Sequence, residues 1–224
     1  AVAAIASTLT QREQDIREVV FDHRERLCKR IYEQLMHHFR YEETGFEYSE
    51  VLPFTRIEPW NYSVHQKFGK QHFTETLRSV EAIRKYVFYG FIKACHLEYK
   101  FDSKAEKDFA IVLEDDPIVL RWLRPAHHQL TIYWNRQNRL YYPDFIVETE
   151  HLIYMVEIKS SAELEAEEVL EKGRAALIYC QNATQYNREV GGKDWAYLLI
   201  PHNDVVTIKR SFTYFAQNYL RTSL

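Results

Sequence analysis

Apolar residues recur at helical spacing through the first part of the chain. Between Thr10 and Phe39 they form one stripe. Its members are Ile16, Val19, Val20, Leu27, Ile31, Leu35 and Phe39. Thr10 and Glu13 also have the spacing of a capping box, which marks the start of a helix. The pattern therefore predicts one long helix from Thr10 to about Phe39.

The segment that follows has no clean period. Residues 41–70 mix Pro, Gly and aromatic side chains, which favours loop with at most one short strand. Residues 74–93 begin with a helical pattern that then becomes ambiguous. We therefore predict a helical N-terminal and linker region over residues 1–95.

The second half alternates more clearly between strand and helix patterns. Ser103 and Glu106 form another capping box, which opens a helix that ends before Pro117. Three strands, a helix, a strand and a helix then follow, over residues 129–134, 143–149, 152–159, 162–183, 195–200 and 211–219. This order predicts an α/β domain over residues 96–224, with a mixed central sheet flanked by helices.

Residues 143–159 (PDFIVETEHLIYMVEIK) read as a hairpin with charges at one end. If its turn is centred on Glu150 and His151, Asp144 stands directly opposite Glu157. One face of the hairpin is then apolar and holds Pro143, Phe145, Val147, Tyr154, Val156 and Ile158. The other face holds Tyr142, Asp144, Ile146, Met155, Glu157 and Lys159.

The opposed acids on the second face need an explanation. Opposed carboxylates destabilise a strand pair, and partial burial adds a desolvation cost. A divalent cation would compensate, since carboxylates, a backbone carbonyl and water are the oxygen ligands that Mg²⁺ prefers. A solvated pair between Glu157 and Lys159 with no function is the simpler interpretation, and the sequence leaves both open.

Composition excludes fewer classes of function than this hairpin does. The net charge of −3 gives no sign of a nucleic-acid-binding protein, so any such binding needs a local basic surface. Candidates for that surface are Arg121, Arg124, Arg136, Arg139 and Lys159. Lys172 and Arg174, in the helix after the hairpin, could point toward the acids or toward a nucleic-acid backbone.

Other features indicate an intracellular protein without a membrane segment. Cys28, Cys95 and Cys180 are far apart and match no metal or redox spacing, as expected for reduced thiols. No run of about eighteen apolar residues predicts a membrane span, and the N-terminus lacks the basic region of a signal peptide. We therefore expect a cytoplasmic location. Gly191-Gly192-Lys193 lacks the spacing of a phosphate-binding loop and is predicted to form a turn.

The charged end of the hairpin resembles the signature of a nuclease superfamily. Pro143-Asp144, followed after about a dozen residues by Glu157-Ile158-Lys159, is similar to the PD-(D/E)xK motif. Six further stretches resemble successive blocks of the C-terminal nuclease region of type III restriction enzyme Res subunits and related helicase-nucleases. They are KFDSKAEKDFAIVLE, WLRPAHHQLTIYW, YYPDFIVET, VEIKS, EKGRAALIYCQNA and GGKDWAYLLIPH. The resemblance extends from about Lys100 to His202.

This resemblance implies a restriction-endonuclease-like fold and a metal-dependent endonuclease that cleaves DNA. Asp144, Glu157 and the Ile158 carbonyl would bind Mg²⁺, for which Mn²⁺ could substitute. Lys159 would assist the attacking water or stabilise the phosphorus in the transition state. Glu106 would complete the site, although its capping role alone also explains it.

The same resemblance implies a setting and partners. The domain would be the cleavage part of a larger ATP-dependent restriction or antiviral defence enzyme. Its helicase motor would lie outside these residues, and a methyltransferase subunit would be a further partner. One alternative is a catalytically silent nuclease-fold module that binds DNA or scaffolds a helicase. Another is a nuclease that acts alone on RNA or branched DNA.

Overall fold

The computed structural model describes residues 21–38, 56–59, 61–77, 79–127, 129–130, 132–134, 139–207 and 211–223. Contacts divide the chain into two compact units, residues 1–47 and residues 48–224. In the first unit, helix α1 spans Arg24–His38. Leu27 and Ile31 are half-buried along it, as the apolar stripe predicts. The predicted helix start at Thr10 lies outside the described residues.

The second unit contains the remaining described elements. Its strands are β1 Lys70–His72, β2 Val87–Tyr89, β3 Glu98–Tyr99, β4 Val119–Leu123, β5 Ile132–Tyr133, β6 Leu140–Tyr141, β7 Phe145–Thr149, β8 Leu152–Lys159, β9 Asp194–Pro201 and β10 Leu220–Arg221. Its helices are α2 Lys104–Asp115, α3 Glu167–Val190, α4 His202–Thr207 and α5 Phe212–Asn218. A 3-10 helix spans Ile83–Lys85.

The main sheet has the strand order β10-β9-β8-β7-β4. Strands β8 and β9 are parallel, and the other neighbouring pairs are antiparallel. The parallel pair requires a crossover connection, which α3 supplies between β8 and β9. The predicted mixed α/β architecture is therefore confirmed.

Alternate residues of the central strands enter two separate cores, one on each face of the sheet. On one face β8 and β9 pack with aromatic residues of α2 and α5; this core includes Val156, Ile158, Leu198, Ile200, Phe109, Phe212 and Phe215. On the other face they pack with α3; that core includes Met155, Tyr197, Leu199, Ala176, Tyr179 and Cys180. Because both faces are covered, β8 and β9 read as nearly continuous apolar runs.

The sheet edge differs from the sequence prediction. Strand β4 was not predicted; its exposed Arg121 interrupts an otherwise apolar run. The predicted strand over 129–134 supplies only β5, which pairs with β6 in a separate two-stranded sheet. Residues 93–95 cover part of the β4 edge: the Cys95 amide donates to the Trp122 carbonyl at 2.8 Å.

The region before residue 96 also differs. Residues 74–93 hold the 3-10 helix and strand β2, so the helical pattern read there was wrong. Strands β1 and β2 pair in parallel, and β3 joins them antiparallel. Phe88 and Phe91 pack in the same core as Phe101 and Phe109, which explains why the compact units divide near residue 47 rather than at the predicted 95/96.

Helix α3 begins later and ends later than predicted. It starts at Glu167 and stops at Gly191, which takes the left-handed conformation (φ 75°) that glycine adopts without strain. The predicted turn at Gly191 is therefore confirmed. No helix in the described part of the chain combines the length and apolar character that a membrane span requires.

Candidate active site

Two acids face each other where the hairpin of β7 and β8 begins and ends. Phe145 pairs with Val156 and Ile146 with Met155, so Asp144, one residue before β7, stands opposite Glu157. The Ile158 amide donates a hydrogen bond to Asp144 Oδ2 at 2.8 Å. The predicted register is the observed one.

Glu157 is the buried member of this pair, with 4% of its surface exposed. Lys159 Nζ lies 2.7 Å from Glu157 Oε1. The Tyr141 hydroxyl, from β6, donates to Glu157 Oε2 at 2.9 Å. The acid of this pair is therefore buried while its lysine is partly exposed, so the pair differs from the fully solvated surface pair of the simpler interpretation.

The site remains open on the other side of the acid pair. Asp144 is half-buried, and the Lys159 side chain is 29% exposed. Solvent therefore reaches part of Asp144 and part of the Lys159 side chain, while Glu157 is buried.

Burial and mutual repulsion shape the electrostatics of the acids. Burial raises the pKa of Asp144 well above its usual range, and the charges of Glu157 and Glu106 add to this effect. Burial also raises the pKa of Glu157, against the lowering effects of Lys159 and Tyr141. Ionising both acids is therefore disfavoured, and positive charge nearby would favour it.

The two donors to Glu157 keep their protons. Burial alone would lower the pKa of Lys159, but Glu157 and Asp144 outweigh burial and raise it. Burial and the charge of Glu157 raise the pKa of Tyr141 well above its usual range. Lys159 is thus a fixed ammonium and Tyr141 a fixed O–H donor beside the acid pair.

Glu106, predicted to complete the site, lies in the first turn of α2. Ser103 caps the helix: its hydroxyl accepts from the Glu106 amide at 3.2 Å and donates to Glu106 Oε1 at 3.0 Å. The Asp102 amide donates to Glu106 Oε2 at 3.0 Å. The predicted capping box is therefore confirmed, and the role of Glu106 in completing the catalytic site stays a prediction.

Arg124 is buried beside Glu106, and not on the predicted basic surface. Only 8% of Arg124 is exposed, because its guanidinium pairs with Glu106 and, at 2.6 Å, with Asp102. Its positive charge also acts on Asp144, whose pKa it lowers against the effect of burial.

The other predicted cations occupy different places. Lys172, on α3, lies 2.6 Å from Glu168 and 5.0 Å from the centre of the Trp134 ring, and its charge reaches Glu157. Arg174 is exposed on the same helix. The remaining predicted cations are Arg121 and Arg139, which are exposed, and Arg136, which lies outside the described residues.

Tyr141 and Arg124 are site residues that the sequence did not single out for these roles. Tyr141 lies two residues before Pro143, but its contact with Glu157 depends on how β6 packs on the sheet. Among the described residues, no three His, Cys, Asp or Glu side chains form a group placed to hold a metal ion. A cation at this site would therefore be held by Asp144, Glu157, backbone carbonyl oxygen and water.

No family model, no curated protein and no solved structure matches this chain. The fold and the site define a mixed α/β protein in which a lysine contacts the buried member of an acid pair.

Proposed function

We propose that residues 48–224 form a metal-dependent nuclease domain of restriction-endonuclease-like fold that hydrolyses phosphodiester bonds in DNA. The observation that carries this proposal is the position of Asp144 opposite Glu157, with Lys159 contacting the same acid. We further propose that the domain cleaves DNA for a larger ATP-dependent restriction or defence enzyme with a helicase motor and a methyltransferase partner.

The charge balance of the site supports a bound cation. Arg124 pairs with both Glu106 and Asp102, and Lys159 pairs with Glu157, whereas no ion pair among the described residues includes Asp144. Several kcal/mol is the usual scale of an uncompensated buried charge. A proton on Asp144 or a divalent cation removes this cost. The donor set, with oxygen ligands only, fits Mg²⁺ or Mn²⁺.

The chain's own residues have distinct parts in the proposed reaction. Asp144 and Glu157 would hold the metal, with the Ile158 carbonyl as a further ligand. Lys159 would contact a phosphate oxygen or orient the attacking water, and Tyr141 would keep Glu157 in place. Mg²⁺, when bound, neutralises charge on the phosphate and lowers the pKa of a water molecule.

Cleavage of supercoiled plasmid with Mg²⁺ or Mn²⁺ tests the proposal. We expect the chain to nick or linearise the plasmid, and Asp144→Ala and Lys159→Ala to abolish cleavage. Lys193→Ala is a matched control, because Lys193 also has a 29% exposed side chain and pairs with an acid, Glu148, at 2.7 Å. Cleavage that persists in both site variants would contradict the assignment.

One observation favours the alternative of a silent nuclease-fold module. Both oxygens of Glu157 already accept hydrogen bonds, from Lys159 and Tyr141, so a metal must compete with these donors. Calorimetry with Mn²⁺ separates the two functions. Metal binding that Asp144→Ala abolishes supports the nuclease, whereas DNA binding without any metal binding supports the silent module.

A further inference from the structure

Arg124 is the most tightly held cation near the acid pair. It follows β4 directly, and its backbone amide donates to the Tyr99 hydroxyl at 3.4 Å. Its guanidinium lies 5.6 Å from the centre of the Phe101 ring and pairs with Asp102 and Glu106. An Arg with this many partners and little exposure has a fixed position.

These contacts occupy the carboxylate of Glu106. One oxygen takes the Ser103 hydroxyl, and the other takes the Asp102 amide and Arg124. A carboxylate offers about four lone-pair positions, so few remain for a metal. To bind an ion, Glu106 would have to give up its cap or its buried ion pair.

We infer that Arg124 is a positioning residue that supplies a permanent positive charge in the place of a second metal ion. It neutralises Glu106 and keeps it out of the metal ligands. The site therefore takes one divalent cation, held by Asp144 and Glu157. This inference rests on the proposed function, since it specifies the metal site of the proposed nuclease.

Titration calorimetry with Mn²⁺ alone tests the inference without any cleavage assay. The full chain should bind one ion, and Asp144→Asn should bind none. Glu106→Gln keeps the shape of the side chain and should still bind one ion, at an affinity lowered by about ten-fold, as for a residue that does not contact the metal.

The Arg124 variants separate charge from structure. Arg124→Gln removes the cation that compensates Glu106 and Asp102, so these carboxylates repel each other and Asp144. This variant should bind a second Mn²⁺. Arg124→Lys keeps the charge and should bind one. Far-ultraviolet circular dichroism establishes whether each variant is folded. If Arg124→Gln does not fold, the wild-type and Glu106→Gln titrations test the inference.

The possible results are distinguishable. Two ions in the wild type, a Glu106→Gln variant that binds none, or a folded Arg124→Gln variant that binds only one would overturn the inference and leave the nuclease proposal standing. A wild type that binds no ion would overturn both.

Discussion

Asp144→Asn should make the metal-free protein more stable at neutral pH. Burial and two neighbouring acids raise the pKa of Asp144, so its ionised form is disfavoured in the folded state. An unfolded Asp has a pKa of about 3.9. As the pH rises above that value, the unfolded chain loses this proton more readily than the folded chain, and stability falls until the pH passes the folded pKa. Asn carries no charge and escapes this loss.

The size of the gain follows from the same shift. Each pKa unit corresponds to about 1.4 kcal/mol, and because Asp144 is only half-buried we expect a gain of about 1–2 kcal/mol at pH 7.5. For a domain of this size that raises the melting temperature by roughly 2–4 °C per kcal/mol. Asn can still accept the Ile158 amide through its side-chain oxygen, so the hydrogen bond at 2.8 Å is not lost. At pH 4 the gain should largely disappear.

Bound metal should make the wild type more stable than Asp144→Asn. A ligand at one hundred times its dissociation constant adds about 2.7 kcal/mol to the protein that binds it. Wild type should gain this stability with Mg²⁺ or Mn²⁺, and Asp144→Asn should gain none. Differential scanning calorimetry at pH 4 and pH 7.5, with EDTA or metal, measures both effects.

Glu150→Gln is the control for this experiment. Glu150 is exposed at the hairpin turn, and its substitution should change stability by less than about 0.5 kcal/mol at either pH. The reasoning is refuted if Asp144→Asn is less stable than wild type in EDTA at pH 7.5, or if it responds to metal as wild type does.

Two further predictions concern the surroundings of Glu157. In an Asp144→Asn background with EDTA, Lys172→Gln should weaken binding of a fluorescent DNA duplex, because Lys172 is close to the site. The slope of log affinity against log salt concentration should become shallower by about one. Arg174→Gln is the control, since it removes the same charge from the same helix, and an equal loss of affinity there would contradict the assignment. Tyr141→Phe should cost about 1–3 kcal/mol in urea unfolding because the buried Glu157 loses a donor, and a loss no greater than that of Tyr142→Phe would refute this role.

The hairpin was predictable because its side chains alternate. Phe145 and Val147 on one strand and Val156 on the other belong to one core, while Ile146 and Met155 belong to the other. With a two-residue period, a one-residue slip would put one strand's side chains on the wrong faces, and the turn at Glu150 and His151 selects the register among the choices that remain. The positions of the acids then follow from the apolar residues around them.

The surroundings of the acids were not predictable in the same way. Arg124 looked like a surface residue because its partners, Asp102 and Glu106, lie 22 and 18 residues earlier in the chain. No local pattern reports such an ion pair, and Arg is almost never fully buried unless paired. Strand β4 was missed for a related reason. Part of its edge is covered by residues 93–95, and the sequence of β4 does not indicate these contacts.

The apolar faces of the sheet also explain how the chain holds two acids at close quarters. A one-residue slip of β8 would turn Glu157 and Lys159 together toward the core of Phe109 and Phe145, away from the Tyr141 donor on β6. Burying this ion pair in an apolar core would cost several kcal/mol, roughly the scale of total domain stability. The aromatic cores on both faces therefore fix the register, and the register keeps Glu157 opposite Asp144 even though the two repel. The strain at the site is local, while the packing that sustains it is spread over the whole sheet.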